Sequence, residues 1–378
     1  MPNLKVLHLL SSPSAGGAEV FVKDMVLNSQ RYGIDAGILF ISSAENVGRA
    51  SSYEKGFLFE LKQENIPFFI LPKNARRNIF HGYLTFKACI KEFLPDGIHS
   101  HLLMGIVYSA LFCRRIPLIY THHNSIIQTK PFIFRTLMAC CNAHIGISKI
   151  CAKFLQQYLL EQDKCTVIYN AIDNERLCAP EKNSNTAKHK LTLIAVGAIS
   201  TQKNYLYMLE AVVTVKKVLA NIFHLKIAGE GKLNEEKEIL DYINTNDLSD
   251  TVELLGNRSD VPQLLVQSDV FLMSSAWEGL PIALIEAQLS GVPSLVTDVG
   301  GCKELLAITK GGIVVPVHDR EKYANALEEL ICNAELRNSL SISALNNVSY
   351  FSIEYCLKKH KALYQKHISI QKVHHNEL

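Results

Sequence analysis

Short apolar runs alternate with stretches whose apolar residues recur at helical spacing, and this alternation continues along most of the chain. In the first half the runs that read as strands are Lys5–Leu10, Asp35–Ile41, Pro67–Leu71, Gly97–His101, Pro117–Thr121, His144–Ile147 and Cys165–Tyr169. Helical patterns lie between them; Ala18, Val22, Met25 and Val26, for example, share one helix face. The segment from Ala179 to Lys190 is polar, holds a Pro and has no period, so it reads as a linker. A second alternation follows, with strands at Leu191–Val196, Leu225–Ala228, Val252–Leu254, Val270–Met273, Ser294–Thr297 and Gly312–Val315. Strand and helix in regular alternation predict an α/β fold of βα repeats with parallel sheets. Two such halves joined by a linker predict a cleft between them, with ligands beyond the C-terminal ends of the strands. The tail, Ile353 to His367, reads as a helix with Tyr355, Leu357 and Leu363 as its apolar contacts.

At 378 residues, 48% hydrophobic and 20% charged, the chain has the length for two globular domains. A net charge of +3 and a pI of about 8.2 give no nucleic-acid footprint, but leave room for a modest basic patch facing anionic lipid. Leu4 to Leu10 is apolar but short, carries Lys5 and precedes Ser-Ser-Pro-Ser, which fits a first strand better than a signal peptide. The longest apolar run, Leu102 to Cys113, is too short for a bilayer, which needs about twenty residues. The ten cysteines form no CxxC pair, so reduced, buried thiols in a cytoplasmic protein are expected, with no disulfide frame and no zinc site.

The densest chemistry lies in Glu278-Gly279-Leu280-Pro281-Ile282-Ala283-Leu284-Ile285-Glu286. Pro281 suits the first turn of a helix, where its missing N–H costs nothing. Glu278 then stands on the loop entering that helix and Glu286 inside it, about two turns apart, with Gly291 and Pro293 as the stop. Both carboxylates are acceptor-only groups suited to sugar or ribose diols. Gly16-Gly17-Ala18-Glu19 follows the first strand and opens a helix, where backbone can approach an anion; an ordinary βα turn reads the same way. Lys203, in Gly197-Ala198-Ile199-Ser200-Thr201-Gln202-Lys203-Asn204, stands near the start of another helix. A cation is disfavoured there unless an anion lies between, so a phosphate site is expected; the alternative is a solvated surface lysine. Gly229-Glu230-Gly231 is a further turn at a strand end.

Thr121-His122-His123-Asn124 ends another strand, so a histidine there can reach a cleft and donate to a hydroxyl or phosphate. Adjacent histidines also suit a metal, but no acidic residue stands at useful spacing, and none is expected. Of His99 and His101, alternating on their strand, at least one reads as structural. Lys130-Pro131-Phe132-Ile133-Phe134-Arg135 mixes cations with aromatics, as does a membrane-surface segment or a half-buried helix; Arg76, Arg77, Arg114 and Arg115 add charge to the same half.

Taken together, these segments resemble the retaining glycosyltransferases of family four. The match comprises Gly16–Glu19, Thr121–Asn124, Ile147-Ser148, Val167–Asp173, Val196-Gly197 with Gln202–Asn204, Gly229–Gly231 and Glu278–Glu286, in the family's order across nearly the whole chain. The resemblance implies a GT-B fold of two Rossmann-like domains. The first spans 1–175, with a C-terminal helix over 353–378 packing back on it, and the second, nucleotide-sugar-binding domain spans 176–352. It implies that Glu286 holds the nucleotide ribose, Glu278 the donor sugar, Lys203 the diphosphate, and that Gly17 approaches the diphosphate and the acceptor. Gly279, Leu280 and Pro281 complete the donor loop, and His123 stands at the sugar, with His122 the alternative by register. Ala198 replaces an Arg common in the family, which leaves more of the phosphate charge to Lys203; Ala171 stands where Gly is frequent.

The expectation is a metal-independent, retaining transferase with no cofactor. It takes a nucleoside-diphosphate sugar, UDP-linked in preference to GDP-linked, and places the sugar on a lipid-linked glycan at the inner membrane face. The alternatives are a non-catalytic nucleotide-sugar sensor or partner subunit on the same fold, and a hydrolysing sugar-nucleotide epimerase, which lacks support from the two-Glu block.

Overall fold

The structure is a computed structural model that describes residues 3–47, 51–127, 129–173, 190–219 and 222–376. In chain order the first elements are β1 (Leu4–Leu10), α1 (Gly17–Ser29), β2 (Ile34–Phe40), α2 (Ser51–Gln63), β3 (Phe68–Ile70), α3 (Ile79–Phe93), β4 (Gly97–Ser100), α4 (Leu103–Phe112), β5 (Leu118–His122), α5 (Pro131–Met138), β6 (Ala143–Gly146), α6 (Lys149–Gln156) and β7 (Cys165–Val167). Then follow β8 (Leu191–Val196), α7 (Tyr205–Leu219), β9 (Phe223–Ala228), α8 (Leu233–Thr245), β10 (Val252–Gly256), α9 (Val261–Val266), β11 (Val270–Met273), α10 (Ile282–Leu289), β12 (Ser294–Thr297), α11 (Cys302–Thr309), β13 (Gly312–Val315), α12 (Arg320–Cys332), α13 (Ala334–Asn347) and α14 (Ile353–Asn376).

All thirteen expected strands form, and β8, β11, β12 and β13 have the expected ends. Differences lie at other termini: β9 starts two residues before Leu225, and β7 stops at Val167 instead of Tyr169. The tail helix runs past His367 to Asn376, since no Gly or Pro interrupts it. Of the expected linker, residues 179–189 lie outside the described residues. Of the nine described cysteines, Cys140 and Cys332 are exposed, contrary to the expectation of buried thiols, and none forms a disulfide.

The chain forms two compact units, Met1–Asp173 with Phe351–Leu378, and Asn174–Tyr350. In the first unit a fully parallel sheet has the order β3-β2-β1-β4-β5-β6-β7. One face carries Leu7, Leu9, Leu39, Ile98 and Tyr120 against Phe86, Tyr108 and Phe134. Because His8 pairs with His99 in register, and strand side chains alternate, His8, His99 and Thr121 share the opposite face. Helix α14 returns to this unit, where Ile172 N–H donates to the Phe351 carbonyl and Ile353 N–H to the Ile172 carbonyl. Cys356, His360, Tyr364 and Ile368, one turn apart along α14, are all buried. Tyr364 OH lies 2.7 Å from His99 Nδ1, and Ile368 fills the space where Gly97 lacks a side chain.

In the second unit the parallel sheet has the order β10-β9-β8-β11-β12-β13. Leu193, Ala195, Leu225, Ile227, Val270 and Leu272 pack with Met208 and Val212 of α7 and Tyr323 and Leu327 of α12. Buried strands of this kind are near-continuous apolar runs, which is why the sequence pattern locates them so well.

Two predictions follow from packing and burial. A Cβ at Gly146 would stand 2.4 Å from the backbone nitrogen of Ala152 in the first turn of α6, whereas one at Gly56, exposed in α2, would meet nothing within 4 Å. Gly146→Ala should therefore destabilise by about 1–3 kcal/mol or more through overpacking. Gly56→Ala should stabilise by about 0.5–1 kcal/mol in urea unfolding. Equal effects of the two changes would contradict this packing.

The second concerns acid. Burial holds His8 down to about 3 and His360 to about 4, and holds His99 and His101 well below the usual histidine range. An unfolded histidine titrates near 6.5, so between there and about pH 4 the unfolded chain takes up protons that the folded protein refuses. Stability is thus fully present above pH 6.5 and falls as the pH drops, by up to about 1.4 kcal/mol per pH unit for each such ring. Urea unfolding at pH 7.5, 6.5 and 5.5 should show it. A flat profile over that range, above the carboxylate titrations, would contradict it.

Candidate active site

In the second unit the winding of the sheet reverses at β8, whose neighbours are β9 on one side and β11 on the other. Such a reversal leaves a crevice at the C-terminal ends of the two strands, the general place for ligands in open α/β sheets. The loops leaving β8 and β11 carry Lys203 and Glu278, and their side chains meet: Lys203 Nζ lies 2.6 Å from Glu278 Oε1. Gly197, with φ +146°, starts the first loop; a Cβ there would stand 2.7 Å from Lys203 Cε. Lys203 and Asn204 both donate their N–H groups to the Ser200 carbonyl, each at 3.1 Å, which closes the turn. Lys203 precedes α7 by two residues, near the helix start as expected; the anion that accompanies it here is the Glu278 carboxylate.

That carboxylate is held from several sides. Ser275 Oγ donates to Oε1 at 2.7 Å, and Gln202 Nε2 reaches Oε2 at 3.4 Å and the Trp277 carbonyl at 3.1 Å. Ser274 Oγ spans the loops by donating to the Lys203 carbonyl at 2.9 Å and the Asn204 carbonyl at 3.0 Å. The side chains of Lys203 and Glu278 are only 18% and 7% exposed. Removing either partner would strand the other charge at several kcal/mol, whereas the pair together is sustained by these hydrogen bonds. The lysine ammonium has three donors, of which Glu278 Oε1 takes one.

Glu278 and the next three residues, Gly279, Leu280 and Pro281, are buried. Gly300, at φ +52°, admits this loop: a Cβ there would stand 2.1 Å from the Glu278 carbonyl oxygen, and Gly301 N–H donates to the Gly279 carbonyl at 2.7 Å. Pro281 is the N-cap of α10 with extended ψ of 125°, one position earlier than the expected first turn. A proline ring disfavours helical geometry at the residue before it, so α10 cannot begin ahead of Pro281; it begins at Ile282. Glu286 is buried on α10 at 8% exposure. Ala198 is exposed on the loop after β8.

The first unit reverses its winding in the same way, between β1 and β4. Gly17 is the first residue of α1, just after β1, with Gly16 as N-cap. The side chain of Glu19 folds back over this helix start, its carboxylate lying where a Cβ on Gly16 would go. The two adjacent histidines part company. His122 ends β5 in the core, 5% exposed, stacked on Phe154 at 5.6 Å and bonded through Nδ1 to Tyr120 OH at 3.0 Å. His123, half-buried, points its Nε2 to His101 Nδ1 at 2.9 Å. His101 in turn reaches His8, 3.1 Å away. Sequence reasoning missed this contact and the supporting roles of Gln202 and Ser275. The only signal for the histidines was their alternation at His99 and His101, and the partner strand β1 supplies His8 through register.

Comparisons with known proteins agree with this architecture. Residues 15–176 match the family described as Glycosyltransferase Family 4, and residues 180–346 match Glycosyl transferases group 1. The UDP-Gal:alpha-D-GlcNAc-diphosphoundecaprenol alpha-1,3-galactosyltransferase of Escherichia coli is 31% identical over 233 residues, 58% of each chain. The amylovoran biosynthesis glycosyltransferase AmsD of Erwinia amylovora is 30% identical over 76% of this chain and 82% of its own. The fold matches the Anabaena Alr3699/HepE crystal structure in complex with UDP-glucose at a TM-score of 0.80 and 20% identity, over 96% of this chain and 100% of that one. With both halves matched in order and AmsD aligned over most of its length, the chain belongs to glycosyltransferase family 4, the group 1 glycosyltransferases of GT-B fold.

Proposed function

We propose that this chain moves a sugar, with retention at the anomeric carbon and without a metal, from a nucleoside-diphosphate sugar to a hydroxyl of a lipid-linked glycan in cell-surface polysaccharide assembly. The observation that carries this reading is the Lys203–Glu278 pair, a hydrogen-bonded ammonium and carboxylate at the switch point of the second sheet. Lys203 faces the diphosphate as its principal side-chain cation, since Ala198 supplies none. Glu278 accepts from the sugar hydroxyls and holds Lys203 in place; Gly279, Leu280 and Pro281 set its loop. Glu286 takes the ribose diol. The family resemblance assigns Gly17 to the diphosphate and His123 to the sugar.

The glycosidic C–O bond to the diphosphate breaks on the face that the acceptor attacks. The leaving phosphate oxygen takes the acceptor hydroxyl's proton as the new C–O bond forms. Catalysis is then charge stabilisation and positioning, with no strong side-chain base. The UDP-Gal donor of the E. coli relative and the UDP-glucose in the HepE complex support a UDP-sugar donor over a GDP-sugar. The diphosphoundecaprenol in the former supports a lipid-linked acceptor. No helix among the described residues is long and apolar enough to cross a membrane. Peripheral seating at the cytoplasmic face of the inner membrane is supported by α5, where Phe132 is 68% exposed and Ile133 38%, beside Lys130 and Arg135.

Two outcomes test the assignments. A charge contact that strengthens as the bond breaks acts on kcat more than on KM. Lys203→Ala should lower kcat about 10²-fold or more, assayed in EDTA with folding checked by melting, while Ala198→Arg should leave turnover unchanged or raise it. A Lys203→Ala enzyme within about threefold of the parent, or turnover lost in EDTA and restored by Mn²⁺, would remove the role given to Lys203. Glu286→Ala should weaken binding of free nucleoside diphosphate as well as the whole donor by calorimetry; unchanged nucleoside-diphosphate affinity would refute the ribose contact.

A further inference from the structure

Three imidazoles form a continuous line at the switch point of the first sheet. His8 of β1 places Nδ1 3.1 Å from His101 Nε2, and His101 places Nδ1 2.9 Å from His123 Nε2. His8 is 1% and His101 8% exposed. Each N···N contact requires one protonated and one bare nitrogen. A neutral His101 has a single proton and takes part in both contacts, so it donates to one neighbour and accepts from the other. The three rings are therefore locked to one another: either all carry the proton on Nε2, or all carry it on Nδ1.

The end of the line decides which. His123 Nδ1 is buried and has no hydrogen-bond partner. A buried N–H without an acceptor is the rarer and costlier of the two orphans, so a bare lone pair belongs there. The proton of His123 then sits on Nε2 and is donated to His101, and that of His101 is donated to His8. Neutrality of all three fits the surroundings: burial is the main influence on each ring, and the charged influences on them come from other histidines.

We propose that His8 and His101 are positioning residues that hold His123 as its neutral Nε2–H tautomer, leaving bare Nδ1 as an acceptor for a sugar hydroxyl and not as a donor to phosphate. This rests on the assignment of His123 to the donor sugar made above, and narrows it to contact with a group that can donate a proton. His99 stands beside the line but outside it, because its nitrogens are engaged by the Tyr364 and Thr121 hydroxyls at 2.7 Å and 2.6 Å. His8, His99 and His101 also bring one nitrogen each within 4.8 Å of one another, close enough to consider a cation. The hydroxyls already on His99, and the want of a carboxylate among the influences on these rings, favour the hydrogen-bonded line.

The test is ¹⁵N NMR of histidine-labelled, ligand-free, full-length protein, with tautomers read from the ring nitrogens. His8, His101 and His123 should each show a protonated Nε2 and a bare Nδ1. His101→Leu and His8→Leu should mix the tautomers of His123 and lower kcat/KM about tenfold. His8→Asn, whose amide oxygen can stand where Nδ1 accepts, should restore both relative to His8→Leu. A wild-type His123 protonated on Nδ1, or a His123 signature unmoved by either leucine variant, overturns the proposal. So does one equivalent of Zn²⁺ shifting His8, His99 and His101 together, which would make the cluster a metal site. His123→Ala with wild-type turnover refutes the sugar contact and with it the positioning role, even where the tautomer stands; that result separates failure of the functional reading from failure of the hydrogen-bonded line.

Discussion

Reversal of winding beside the first strand of each parallel sheet is the constraint on which the chemistry depends. A crossover through α7 carries β8 to β9 on one side, and the chain later comes back to β11 on the other. Loops from the two strands are thereby brought to one end of the sheet from distant parts of the sequence. Lys203 and Glu278, 75 residues apart, meet at 2.6 Å for this reason. In the first unit the same reversal brings His8 to His101, 93 residues away.

Energetics make the second site specific. An ammonium and a carboxylate this far from water persist only with each other and with Ser275 and Gln202 around them. Such a pair is weak evidence of stability, and hydrophobic residues of the same size would serve a core as well. Its place where strand order reverses is where ligands bind in open α/β sheets. On the reading proposed above, Ala198 brings no cation and the phosphate charge falls to one lysine.

Much of this was legible in the sequence. Strands buried on both faces are continuous apolar runs, and so all thirteen were located, several to the residue. Helix ends were less legible: Pro281 caps α10 from outside instead of opening its first turn. Glu278 and Lys203 could be singled out by their framing, but their contact could not, since only sheet order makes them neighbours. The histidine line was illegible for the same reason. His99 and His101 show alternation, whereas His8 enters only through the register of β1 with β4. His122 and His123 likewise separate only in the fold, where His122 ends β5 against Phe154 and His123, just beyond it, reaches His101.

The central claim is that the switch point of the second sheet is a nucleotide-sugar site. Thermal melting of the full chain against UDP-, GDP- and ADP-sugars tests it most directly, since any ligand specific to the folded state stabilises by about 2.7 kcal/mol at a hundred times its dissociation constant. The account predicts a clear rise in melting temperature with a UDP-sugar, smaller or absent with the others, and retained in EDTA. No shift with any nucleotide sugar at millimolar concentration would contradict it.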